Sequence, residues 1–286
     1  MVFLKKILVV TVLFLGSYVA LVKGLGPTKW LATQHTYQES LAKAEQYLYY
    51  THQLCPRVVV GSSLSSMIQT FRIPGTCSLT FPGQTVFEGL RLLTENDSSP
   101  TCVYIEMNAV LRSEDKEFVD YLQSPVPYFL KKYLRVMRHD KQPIAKIGQL
   151  IHGIVEPHLI TNTTFDKHST QLHQYFRKES DISPKEYILD RQMQRMEELV
   201  SILEKKGCQI VFFEMPISPD LTNLAQPRAI RAFFLKHFSP TKYTYIFPEK
   251  DKIYTTLDGI HLTYEAALEY TAYFKKQVQE ADKSLQ

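Results

Sequence analysis

Arg57-Val58-Val59-Val60-Gly61-Ser62-Ser63-Leu64 decides how the rest of the chain is read. The apolar run Val58-Val59-Val60 predicts a short strand. Gly61 ends the run and two hydroxyls follow at once, so the strand delivers a serine into a turn. Far downstream, Asp258-Gly259-Ile260-His261 brings a carboxylate and an imidazole together. A serine hydroxyl is a weak nucleophile at neutral pH and needs a base to take its proton. An imidazole held in one tautomer by a carboxylate is such a base. Each segment alone is ordinary turn chemistry. In this order they predict a Ser-His-Asp hydrolase, with Ser62 or Ser63 as the nucleophile.

Outward from this strand, short apolar runs alternate with helical stretches. Strands are expected at Cys77 to Phe81, Cys102 to Met107, Gln209 to Met215 and Tyr243 to Phe247. Helices are expected at Ser65 to Phe71, Thr85 to Thr94, Asp190 to Lys206 and Thr263 to Asp282. In the third of these, Met193, Met196, Leu199, Val200 and Leu203 share one face, and Gly207 stands where a C-terminal cap belongs. Alternation of this kind predicts an α/β protein with a parallel sheet covered on both sides. The stretch from Leu111 to Leu189 breaks the rhythm with Pro125, Pro127, Pro143, Pro157 and Pro184. It is too long for a loop, and is expected to be a helical insertion over the active-site edge.

Functional groups of an open parallel sheet gather at the carboxyl ends of its strands. Strand one ends in Gly61-Ser62-Ser63, strand two at Gly83 and strand three at Asn108. Acyl transfer requires donors where the tetrahedral intermediate becomes negative. The backbone N–H groups of Ser63 and Gly83 and the side-chain amide of Asn108 are the candidates. Gly83 has no side chain to hold a substrate off its backbone.

On Ser63, Gly83, Asn108, Asp258 and His261, in that order, the chain resembles the SGNH (GDSL-like) hydrolase superfamily. The resemblance runs from Arg57 to the end, without the insertion, and is to the membrane-anchored extracytoplasmic branch, DltD-like and alginate-acetylation-like proteins among them. It implies a flavodoxin-like three-layer sandwich with a central parallel sheet and a helical insertion after strand three. It also implies a serine esterase or O-acyltransferase acting on acyl esters of cell-envelope glycans or lipids. Ser63 would attack, His261 would serve as base and then acid, and Asp258 would orient His261. Ser63, Gly83 and Asn108 would form the oxyanion hole, with no cofactor and no metal. Two departures stand out. The usual Gly-Asp-Ser reads Gly61-Ser62-Ser63, and the usual Gly-x-Asn-Asp reads Glu106-Met107-Asn108-Ala109. The lost aspartate favours the other reading, a non-catalytic glycan-binding or accessory partner of a membrane O-acyltransferase.

Lys5 and Lys6 precede the uncharged run Ile7 to Val22, whose length lies between a signal-peptide core and a span of about 20 residues. Residues 1–24 are therefore expected to be a signal anchor or signal peptide, with a cytoplasmic N-terminus. Residues 25–56 would form a connecting helix, centred on Gln34 to His52. Residues 57–286 would form the SGNH-like domain, with its insertion at about 111–189, in the periplasm or outside the cell; the alternative is secretion after cleavage. The composition, 44% hydrophobic and 22% charged, is that of a globular protein. A net charge of +4, spread along the chain, gives no dense basic face and no expectation of a nucleic-acid partner. Cys55, Cys77, Cys102 and Cys208 have no metal-site spacing, and disulfides and free thiols are both open. Asn96-Asp97-Ser98 and Asn162-Thr163-Thr164 match the glycosylation sequon. His139, His152, His158, His168 and His173 scatter without a helical metal pair, and Arg112, Arg135 and Arg138 read as a solvated face.

Overall fold

A computed structural model describes residues 2–24, 36–52, 54–97, 99–142 and 165–283. Pro143, Pro157, His152, His158, the Asn162 sequon and Ser98 of the other sequon lie outside these residues, as does the link at 25–35. Five strands build one sheet: β1 (Arg57–Gly61), β2 (Thr76–Thr80), β3 (Cys102–Glu106), β4 (Gln209–Phe213) and β5 (Thr244–Ile246). Every pairing is parallel and the order is β2-β1-β3-β4-β5. This is the expected α/β three-layer architecture. From β1 the chain moves one way to β2 and then back across to β3. A crevice opens between the carboxyl ends of β1 and β3, where the order reverses. The residues that follow those two strands, Ser62-Ser63 and Met107-Asn108, flank it.

The helices are α1 (Val2–Gly24), α2 (Thr36–Gln46), α3 (Val86–Glu95), α4 (Lys116–Gln123), α5 (Pro125–Tyr133), α6 (Phe165–Asp181), α7 (Glu186–Lys205), α8 (Pro219–Thr222), α9 (Ala225–His237) and α10 (Tyr264–Lys283). Alternation along the strands sends side chains to the two faces. Val59, Tyr104, Val211, Phe213 and Ile246 form one core with Ala266, Ala267, Tyr270 and Phe274 of α10. The Phe274 ring meets Tyr104 at 5.5 Å and Phe213 at 5.1 Å, both edge-on. A phenylalanine buried in this way contributes roughly 1.5–3 kcal/mol. On the other face Phe212 meets Phe234 of α9 at 5.3 Å, while α3 and α7 pack on each other and on the strands. Thr85 and Glu88 form a reciprocal capping box that starts α3.

The segment after β1 corrects the sequence reading. Ser65 to Phe71 is not an α-helix; it holds two short 3₁₀ turns, Ser65–Met67 and Thr70–Arg72. Leu64, Ile68 and Ile73 are all buried, and the spacing from Ile68 to Ile73 puts them on different faces of any single helix. The chain therefore breaks at Ile68, which is extended. Gln69 gives its N–H to Thr271 Oγ1 of α10, at 3.1 Å, instead of to a helical carbonyl. Other boundaries move by a few residues: α7 begins at Glu186 and β5 is only Thr244–Ile246. The helix expected over Gln34 to His52 is α2 followed by a π-helical turn, Tyr47–Thr51. Cys55 and Cys77 form a disulfide with Cα atoms 5.7 Å apart, whereas Cys102 and Cys208 are buried and stand outside it.

Contacts divide the chain into two units, Met1–Glu45 with Leu122–Leu159, and Gln46–Tyr121 with Ile160–Gln286. In the first, the buried Glu45 carboxylate meets Lys131 Nζ at 2.8 Å and His139 Nδ1 at 2.7 Å, and accepts the His139 N–H at 2.8 Å. Among the described residues, no helix is long and apolar enough to cross a membrane. The second unit contains the sheet, α6 and everything described below.

Candidate active site

Ser63 and His261, separated by almost the whole domain in sequence, meet at the carboxyl edge of the sheet. His261 Nε2 lies 2.9 Å from Ser63 Oγ. Its Nδ1 lies 2.7 Å from Asp258 Oδ2. The loop that presents the pair is closed on itself: Leu257 N–H donates to His261 O at 2.7 Å and Thr263 N–H to Thr255 O at 3.0 Å. Leu262 next to His261 is 1% exposed and anchors the loop in the core. The second oxygen of Asp258 accepts the N–H groups of Ile260 (3.1 Å) and His261 (2.8 Å). Burial alone would raise the Asp258 carboxyl. The bonds from the His261 ring and backbone, and from Ile260, outweigh it and hold the group below its ordinary value. An ionised Asp258 fixes the proton on Nδ1, which leaves Nε2 free to accept from Ser63.

The two serines have different surroundings. Ser63 is half-buried and lines the cavity beside His261. Ser62 is 3% exposed, and its hydroxyl donates to Glu106 Oε1 at 2.8 Å. The three expected oxyanion donors border the same cavity. Gly83 has φ +82°, a left-handed conformation that favours glycine. No hydrogen bond to another described residue uses the N–H of Ser63 or of Gly83. Asn108 is clamped to the chain that leaves β4: its Nδ2 donates to Met215 O at 3.1 Å and its Oδ1 accepts Met215 N–H at 2.7 Å. The fixed polarity of that peptide group sets which end of the amide is which. One Nδ2 hydrogen goes to Met215, and the second is left over.

Glu106, in the sequence only a departure from a motif, is the most deeply buried acidic group of the site. It is 0% exposed. Oε2 accepts the N–H groups of Ser62 at 2.8 Å and Ser65 at 3.3 Å. Burial raises its carboxyl, and the donors from Ser65 and Ser62 only partly oppose the rise. A signal was present: a glutamate that ends an otherwise apolar strand must find donors once it is buried.

The cavity above the triad has a volume of about 430 Å³. Tyr175 and Phe176 of α6 form part of its wall, and the Phe176 ring stands edge-on to the His261 ring at 6.4 Å. Another part is Arg231 of α9, held by Glu214 through two bonds of 2.9 and 2.6 Å. Of the arginines picked out in the sequence, Arg112 lines the cavity, while Arg135 and Arg138 belong to the other unit. His173 pairs with Asp220 at 3.0 Å. Among the described residues, no three His, Cys, Asp or Glu side chains converge as a metal site. Comparison with protein-family models, with curated proteins and with solved structures returns no match.

Proposed function

We propose that the protein is a serine esterase or O-acyltransferase of the SGNH-like kind, acting on acyl esters of cell-envelope glycans or lipids. One observation carries this: the hydrogen-bond chain from Ser63 through His261 to Asp258, with links of 2.9 and 2.7 Å. Ser63 Oγ attacks the ester carbonyl and passes its proton to His261 Nε2. The carbonyl oxygen becomes an oxyanion, met by the N–H groups of Ser63 and Gly83 and by the spare Nδ2 hydrogen of Asn108. Collapse breaks the ester C–O bond, and His261 returns the proton to the departing alkoxide. Water, or a sugar hydroxyl, then gives its proton to His261 and attacks the acyl-enzyme. Ser63 leaves with that proton. Water as acceptor makes an esterase and a sugar hydroxyl a transferase; the chemistry at Ser63 is the same.

The unbonded N–H groups beside Ser63 support turnover over the non-catalytic partner role, since a scaffold has no need of them. A fluorophosphonate, which reacts only with an activated serine, tests the proposal. It should label Ser63. Ser63→Ala should abolish both the label and hydrolysis of short acyl esters, and Ser62→Ala should keep much of both. A folded wild-type protein that takes no label would leave the glycan-binding or accessory role.

The proposal extends to location, with the catalytic unit outside the cytoplasm and residues 1–24 as its anchor or export signal. The Cys55–Cys77 disulfide supports this, because such bonds persist in oxidising compartments. So does the uncharged run from Ile7 to Val22 behind Lys5 and Lys6.

A further inference from the structure

We propose that Glu106 is a positioning residue for the nucleophile turn: its carboxylate, reaching across from β3, ties down the backbone on both sides of Ser63 and leaves the Ser63 N–H free for the oxyanion. The inference rests on the serine chemistry proposed above.

The register brings the parts together. Val60 of β1 stands beside Ile105 of β3, so the next residues, Gly61 and Glu106, are neighbours. A side chain on Gly61 would occupy the space of Glu106, since a Cβ built there falls 2.7 Å from Glu106 Cβ and overlaps its carboxylate. Glycine at 61 and glutamate at 106 thus fit as a pair. From that position the carboxylate accepts Ser62 N–H at 2.8 Å, Ser62 Oγ–H at 2.8 Å and Ser65 N–H at 3.3 Å. Ser62 Oγ in turn accepts the N–H of Leu64 at 3.2 Å. The amides of residues 62, 64 and 65 are all taken, directly or through Ser62, and the amide between them at 63 is not. Glu106 is fully buried and does not line the cavity. It therefore acts through the turn and not on the substrate.

The same geometry bears on the departures at Ser62 and Glu106 from the SGNH pattern. That pattern has an acid at the position of Ser62 and a glycine at the position of Glu106; this chain has the acid on the neighbouring strand and a small hydroxyl in the turn. One carboxylate is kept and its point of attachment has moved.

Glu106→Gln tests the role with little change of shape. The amide offers one acceptor oxygen and turns an NH₂ toward donors, so the turn loses at least one of its ties. In the folded variant, Ser63 labelling and kcat for a short ester should both fall by about tenfold or more, while KM stays within about twofold. The double variant Ser62→Asp, Glu106→Gly returns the acid to the turn and should recover most of the labelling rate, which a merely space-filling role for Glu106 would not give. A folded Glu106→Gln protein that labels and turns over at the wild-type rate overturns the proposal. If Glu106→Gln does not fold, the double variant decides: recovery of labelling supports the proposal, and failure to fold or to label overturns it. If the wild-type protein itself takes no label, the proposed function fails and Glu106 is judged by amide hydrogen exchange. Ser62 and Ser65 should then exchange faster in Glu106→Gln than in wild type, and unchanged protection of both removes the proposal too.

Discussion

On the proposed mechanism Asn108 has two jobs, and a pair of substitutions separates them. Its Oδ1 and one Nδ2 hydrogen hold the Met215 peptide at 2.7 and 3.1 Å. Only the second Nδ2 hydrogen is left for an oxyanion. Asn108→Ala removes everything. Met215 is 1% exposed, so its N–H and C=O lose partners in a buried place, at a cost of about 1–3 kcal/mol. For a unit of this size that lowers Tm by roughly 2–10 °C. Loss of the oxyanion donor slows kcat by about a hundred- to a thousandfold, or roughly 2.7–4 kcal/mol of barrier. Asn108→Asp keeps an acceptor for Met215 N–H but sets a carboxylate oxygen against Met215 O, where Nδ2 donates at 3.1 Å, so it should melt no higher than the alanine variant. It also puts a negative charge where the oxyanion forms, so it should be slower than the alanine variant. The assay is short-ester turnover with parallel thermal melts. The decisive result is the activity, with both variants slow and aspartate the slower. Melting temperatures that fall with kcat unchanged would make Asn108 a clamp on Met215 and nothing more, and the oxyanion assignment would fail.

Two further outcomes are expected. Asp258 is held below the ordinary carboxyl value, so the folded protein binds fewer protons than the unfolded chain; its stabilising contribution is present above about pH 4 and is lost as pH falls through the folded value. Urea midpoints between about pH 2 and 5 should fall more steeply for wild type than for Asp258→Asn, and equal slopes would contradict the sign. Protein isolated under thiol-trapping conditions should show two thiols, Cys102 and Cys208, and four after reduction. With a sequence separation of 22 between the bonded cysteines, reduction should cost about 3 kcal/mol by loop entropy, and four thiols before reduction would remove the support for an oxidising compartment.

The sheet was legible because its strands are short, apolar and β-branched, and because parallel strands buried on both faces leave few other readings. The site was legible wherever its residues sit at strand ends in sequence order. Ser63, Gly83, Asn108, Asp258 and His261 all border one cavity or reach it through a neighbour. The helix expected after β1 does not form because Ile68 and Ile73, both buried, cannot share one helical face. The pairing of Ser62 with Glu106 was out of reach of motif spacing. Its partners are forty-four residues apart and meet only through the register of β1 on β3. The dual role of Asn108 was hidden for the same reason, since Met215 joins it from the end of β4.

Ser62 and Ser63 show how far a one-residue step at the end of a strand can separate two like side chains. Successive residues of an extended chain point to opposite sides, and the turn begins before the alternation is lost. The Ser62 hydroxyl goes inward and donates to a buried carboxylate. Its oxygen also accepts from Leu64, which engages one of its two lone pairs. The Ser63 hydroxyl goes outward and meets an imidazole whose other nitrogen is already tied to Asp258. A nucleophile needs a base that can take the proton and later give it back to a leaving group, and that base must face the substrate. His261 meets this condition by lining the cavity, and Glu106, sealed beneath the turn, does not. On the proposed chemistry the two adjacent hydroxyls therefore divide the work, one fixing the turn and the other reacting from it.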